Sequence, residues 1–114
     1  MTASRPTWVE ISLEALRSNL RALMEKAAPA ELLPVVKANA YGHGLGPVAK
    51  VLMREGIGSA AVALAHEGAS LRATGFKGRI LLIEPTLPDD ISTVLRHRLT
   101  PQLSSFQEAV HLDT

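Results

Sequence analysis

The chain has 114 residues, enough for one domain, and its 46% hydrophobic and 20% charged content suits a buried core. A formal net charge of +1 and 4% aromatic residues exclude a basic, base-stacking surface for nucleic acid. The sequence holds no cysteine, which excludes a disulfide scaffold, a zinc–cysteine site and a thiol nucleophile.

The opening residues, Met1 to Pro6, carry no apolar core of a secretory leader. No apolar run is long enough to span a bilayer. The expectation is a cytoplasmic protein with neither a membrane nor a nucleic-acid partner.

Residues 7–11 (Thr-Trp-Val-Glu-Ile) alternate apolar and polar side chains and read as a short strand. Ser12 is a good N-cap. Leu13, Leu16, Leu20, Leu23, Met24 and Ala27 then recur at helical spacing, and Pro29 ends that helix. The stripe reads as core packing. Residues 32–36 form the second strand, with Pro34 near its start because proline cannot donate to a ladder. The strand ends at Lys37-Ala38, and a loop follows. Gly46-Pro47 opens a helix, Val48, Val51 and Leu52 give its apolar face, and Gly56 and Gly58 stop it.

Residues 60–64 are continuously apolar, which predicts a strand covered on both faces of a parallel sheet. A helix over 67–73 ends at Gly75. Residues 79–84 form another such strand. Pro85 and Pro88 punctuate the next loop, and Asp89 and Asp90 suit the first turn of a helix that fades near His97 and Arg98. Residues 99–103 read as a weaker strand. Ser105 and Glu108 have capping-box spacing, so another helix starts there.

Regular strand–helix alternation predicts α/β architecture: right-handed βα units around a parallel sheet. No linker divides residues 1–114 into two domains. A helix launched at Ser105 and ended at Thr114 suggests a truncated chain. A full (β/α)8 barrel takes about 250 residues, so the units make roughly half of one.

The chemistry concentrates in Pro34-Val35-Val36-Lys37-Ala38-Asn39-Ala40-Tyr41-Gly42-His43-Gly44. Lys37 falls at the carboxyl end of a parallel strand, the edge where α/β folds place ligands. Apolar surroundings disfavour an ammonium and favour the neutral amine that carbonyl chemistry needs. The alternative is a lysine that snorkels to solvent from a strand end. Tyr41 brings a hydroxyl to the same edge. Gly42 and Gly44 either offer backbone N–H groups to an anion or only satisfy turn geometry. His43 reads as a loop histidine, and no second histidine or carboxylate stands at metal-ligand spacing.

The run Val-Val-Lys-Ala-Asn-Ala-Tyr-Gly-His-Gly, residues 35–44, resembles the pyridoxal-phosphate lysine motif of alanine racemases, matched without a gap. Residues 9–16 resemble that family's opening strand and helix. Residues 61–67, 71–75 and 80–83 resemble its next βα unit and strand, and 99–101 the strand after. The resemblance implies the N-terminal part of a (β/α)8 barrel, with the first strand belonging to a separate β domain. It implies that Lys37 holds pyridoxal 5'-phosphate as an internal aldimine and serves as acid/base on one face of the substrate. It implies that Tyr41 hydrogen-bonds the cofactor phosphate and that Ile83 lies near the cofactor ring. Glu84-Pro85 departs from the family's usual glycine there. Implied further are racemisation of L- and D-alanine, D-alanine supply for the cell wall, and a homodimer. In the family the second base is a tyrosine of the partner's β domain, and this chain's only tyrosine is Tyr41. The alternatives are a serine-directed or broad racemase of this fold, or a non-catalytic half-barrel that binds the cofactor.

Overall fold

The computed structural model describes residues 5–113. Residues 1–4, read above as part of a leaderless opening, and Thr114, read as a truncation point, lie outside the described residues.

Helix α1 (Leu13–Ala27) starts where Ser12 Oγ accepts the Ala15 N–H at 3.1 Å. Leu20 is buried, and Leu16 and Met24 pack beside it. Arg17 and Arg21 leave another face and donate to the two oxygens of Glu55, each at 2.8 Å. Glu55 directly follows helix α2 (Leu45–Arg54), so this fork docks α1 on α2. The Arg21 hydrogen bond, opposed by desolvation and joined by Arg17, holds the Glu55 carboxyl below the usual range. Pro47 falls within the first turn of α2, where a missing N–H costs nothing.

Strands β1 (Ser59–Val62), β2 (Arg79–Pro85) and β3 (Thr100–Gln102) lie parallel in the order β1-β2-β3. Helix α3 (Ala65–Ala73) joins the first two. A short 3₁₀ turn (Pro88–Asp90) and helix α4 (Ile91–Arg96) join the second and third. Helix α5 (Phe106–Asp113) closes the described chain. Its cap is as expected at Ser105, whose Oγ accepts from Glu108 N–H at 3.2 Å, while the Glu108 carboxylate accepts from Ser104 N–H at 2.7 Å.

Two sequence expectations change. Residues 7–11 form no strand: Trp8 is 66% and Val9 81% exposed, and no ladder partner exists among the described residues. A lone strand has no stability without an edge to pair with. Residues 32–36 contract to one parallel bridge, Val35 to Ala61, fixed by Val36 N–H to Ala61 O and Ala61 N–H to Pro34 O, both 2.8 Å. Pro34 supplies no N–H, and Val36 already leaves the extended region at ψ 25°.

Register sorts the two faces of the sheet. Val35 pairs with Ala61, Ala61 with Leu81, and Leu81 with Thr100, so these share one face. The alternating residues Ala60, Val62, Ile80 and Leu82 face the helices and are essentially fully buried, with Leu71 and Phe76. Sequential neighbouring strands with helices on one face are the wall of a (β/α)8 barrel, seen as an open segment. The shape agrees: the extents are 49 × 42 × 22 Å and the radius of gyration is 16.1 Å. A closed domain of about 100 residues has about 13 Å.

Candidate active site at the carboxyl ends of the strands

Lys37 leaves the bridged strand at the carboxyl end of the sheet. It is half-buried, and its amine makes no ion pair among the described residues. The backbone beyond it holds four of the five non-glycine residues with positive φ among the described residues. Ala38, Asn39, Ala40 and Tyr41 have φ of 50°, 56°, 55° and 55°, a left-handed helical turn built without glycine. Such a conformation costs L-residues roughly 1–2 kcal/mol each, so the surroundings must impose it.

Three sets of contacts do so. Ala40 is buried against the core, and its N–H reaches Val36 O at 3.0 Å. The Asn39 side chain accepts from Leu45 N–H at 2.8 Å and so caps the start of α2. The Glu67 carboxylate accepts from Ala38 N–H at 2.6 Å. Gly42 and Gly44 then carry the chain out at φ 83° and 97°. Their N–H groups bond to Ala38 O and Asn39 O, both at 3.0 Å. Of the two readings open for these glycines, turn geometry is therefore the one the structure supports. Their amides are occupied and do not cradle an anion.

Tyr41 ends the turn 58% exposed, with its hydroxyl unpartnered among the described residues. It borders an apolar groove of about 490 Å³ with Leu16, Leu20, Val36, Val48 and Leu52. Neither Lys37 nor Ile83 lines that groove. Ile83 is half-buried on β2, two residues past Leu81 on the open face. Lys37 follows the segment bridged to β1 at Val35, whereas Ile83 lies on β2, the next strand along the sheet. The structure thus joins Lys37 and Tyr41 in one turn and sets Ile83 across the open face. His43 is exposed, with Nδ1 2.9 Å from Ala40 O, a loop contact.

Sequence reasoning missed Glu67. Its other oxygen accepts from Ala63 N–H at 3.0 Å and Leu64 N–H at 2.9 Å. Leu64 precedes α3 and has no side-chain acceptor, so Glu67 reaches back from the first turn to serve the helix start. Burial works against the charge. The N–H donors of Ala38, Leu64 and Ala63 outweigh it and hold the carboxyl below its usual range. Thr86, also missed, buries a hydroxyl that has no partner among the described residues, just past β2.

A carbonyl cofactor bearing a phosphate suits these residues in part. A half-buried amine without a counter-ion can attach it, the open apolar face can flank its ring, and the unpartnered Tyr41 hydroxyl can donate to its phosphate. No group of three or more metal-ligand side chains occurs among the described residues. Among them, no helix is long and apolar enough to cross a membrane.

Residues 11–114 match the family described as the alanine racemase N-terminal domain. The chain is 44% identical over 99 residues to an alanine racemase of Carboxydothermus hydrogenoformans, covering 87% of this chain and 27% of that protein. It is 41% identical over 105 residues to one of Desulforamulus reducens, covering 91% and 28%. Among solved structures, it is similar to alanine racemase of Clostridium difficile 630, with TM-score 0.90, 33% identity and 98% and 30% coverage. It also resembles the Bacillus anthracis enzyme with bound L-Ala-P, with TM-score 0.86, 33% identity and the same two coverages. The chain therefore spans under a third of the length of each of these relatives.

Proposed function

The chain belongs to the alanine racemase family through its N-terminal domain, and on that premise we propose that it carries the lysine-bearing part of a pyridoxal-phosphate-dependent racemase site. Residues 1–114 are then the N-terminal part of the cofactor-binding barrel. The observation that supports this best is Lys37 itself: a half-buried amine without an ion-pair partner, presented at the carboxyl edge of parallel strands by a strained, externally held turn.

When bound, the cofactor supplies the electron sink that makes an amino-acid α-proton removable. Lys37 Nζ would hold the cofactor covalently, and once the substrate amine has displaced it from the cofactor carbonyl carbon, the freed amine would take up or return the α-proton on one face of the substrate. Tyr41 Oη would donate a hydrogen bond to the phosphate and fix the distal end. Ile83 would cover the ring from the open face and exclude water there. A second acid/base must stand on the opposite face, supplied by another segment or by the partner in a homodimer. The relatives' names support alanine as substrate; D-alanine supply for the cell wall and a cytoplasmic compartment are part of the same proposal.

The test is isotope exchange. Protein loaded with pyridoxal phosphate is given each alanine enantiomer in D₂O, with free cofactor as control. Deuterium should enter the α-position faster than the control for at least one enantiomer, and Lys37→Ala should fall to the control rate. Equal exchange by the variant contradicts the assignment.

A further inference from the structure

The reacting amine needs a fixed origin, and the turn that supplies it is intrinsically unfavourable. One side chain from another βα unit holds it next to the lysine. Asn39 and Ala40 act downstream of the lysine, towards α2 and the core. Only the Ala38 N–H, the amide next to Lys37, is held by a side chain from another βα unit, that of Glu67.

We infer that Glu67 is a positioning residue for Lys37: one carboxylate clamps the amide after Lys37 to the two amides at the end of β1. The inference rests on the reading of Lys37 as the cofactor lysine. The geometry is divided between the two oxygens. Oε2 takes Ala38 N–H, and Oε1 takes Ala63 N–H and Leu64 N–H. Because Val35 bridges Ala61, the bond to Ala38 continues the pairing of these two strands by side chain where the backbone ladder stops. The strand that bears Lys37 has a single bridge to the sheet, so this clamp is its second tether. The acceptors must both be anionic oxygens, since all three partners are donors. Glutamine keeps the volume and can keep one oxygen on Ala63 and Leu64, but it then turns an NH₂ donor toward Ala38 N–H.

Glu67→Gln therefore separates the two arms. The probe is pyridoxal phosphate added to the protein, followed by borohydride reduction and mass spectrometry of Lys26, Lys37, Lys50 and Lys77. In the unaltered protein the label should concentrate on Lys37. In Glu67→Gln the Lys37 share should fall about tenfold toward that of the other lysines, the loss of one charge-assisted hydrogen bond. The Ala38 amide should exchange with deuterium faster, the Leu64 amide should change less, and the variant should stay folded at the labelling temperature. Undiminished Lys37 labelling overturns the inference, as does loss of labelling only in step with global unfolding. Should the variant not fold, the unaltered protein still decides. Ala38, Ala63 and Leu64 amides should be protected together, and rapid exchange of Ala38 alone overturns the clamp. Label spread over all lysines of the unaltered protein, with Ala38 protected, contradicts the reading of Lys37 and spares the clamp itself.

Discussion

Helix α3 carries the two most connected side chains of the sheet, one in its first turn and one in its last, and they work in opposite senses. At the carboxyl end of the strands the chain enters helices, and helix starts leave N–H groups without partners. Glu67, a carboxylate, takes one of them, Leu64 N–H, together with the neighbouring loop amides of Ala63 and Ala38. At the amino end the chain leaves helices, and helix ends leave carbonyls without partners. Arg72, a guanidinium, gathers four carbonyls of these helix ends and the loops after them: His97 O at 2.8 Å, Phe76 O at 3.0 Å, Arg98 O at 3.1 Å, and Gly78 O. The carboxylate stands beside a strained turn and a half-buried amine. The guanidinium stands among loops that connect α3 to β2 and α4 to β3. On the proposed function, one end would hold a reactive group and the other the fold, as expected of the two faces of a barrel wall.

The largest effect should come from breaking the amino end. Arg72→Met removes the donor to four carbonyls and should cost about 2–4 kcal/mol in urea unfolding, with cofactor labelling of Lys37 retained in the folded fraction. A variant as stable as the parent would remove the contrast between the ends. Between them lies Gly68, where an added Cβ would meet Leu99 Cδ1 at 2.6 Å. Gly68→Ala should destabilise by about 1–3 kcal/mol by overpacking, read by thermal melting, and weaken both ends together. Tyr41→Phe should act on one end alone. It should lower pyridoxal-phosphate affinity about tenfold by equilibrium dialysis and leave the melting temperature unchanged.

The smallest effect is a difference in pH response. Glu67 has its carboxyl pKa lowered in the folded state, so its contribution is present above the ordinary carboxylate range and is lost as pH falls through the lowered value. Protection of the Ala38 amide, corrected for intrinsic exchange, should decline in that acidic window. Burial, with nearby Arg98, lowers Arg72 as well, yet a guanidinium stays protonated throughout. The amino end should therefore show no parallel loss, and a shared decline would mean that global unfolding, not the clamp, is being read.

The same contrast explains what the sequence disclosed. The strands at 60–64 and 79–84 were legible because continuous apolar runs demand cover on both faces, and β1 and β2 form within a residue or two of them. Lys37 was legible as an exception to such a run, and Tyr41 as its near neighbour. The left-handed turn was not, because Ala38, Ala40 and Tyr41 carry no glycine signature and tertiary contacts impose their backbone. Glu67 lacks the Ser or Thr partner of a capping box, so its reach to Ala38 depends on a contact across 29 positions of sequence. Arg72 binds only carbonyls, which every residue has, so nothing in the sequence marks its partners. The expected strand at 7–11 failed for the converse reason: its pattern was right, but a strand exists only with a neighbour.

The central claim is that Lys37 is the amine at which this protein holds pyridoxal phosphate. Its most direct test is borohydride reduction of the loaded protein followed by peptide mapping, alongside Lys37→Ala. The account predicts one stable adduct on the peptide containing Lys37, lost in the variant without loss of folding. A stoichiometric adduct that persists in Lys37→Ala, or that maps to Lys26, Lys50 or Lys77, would contradict it.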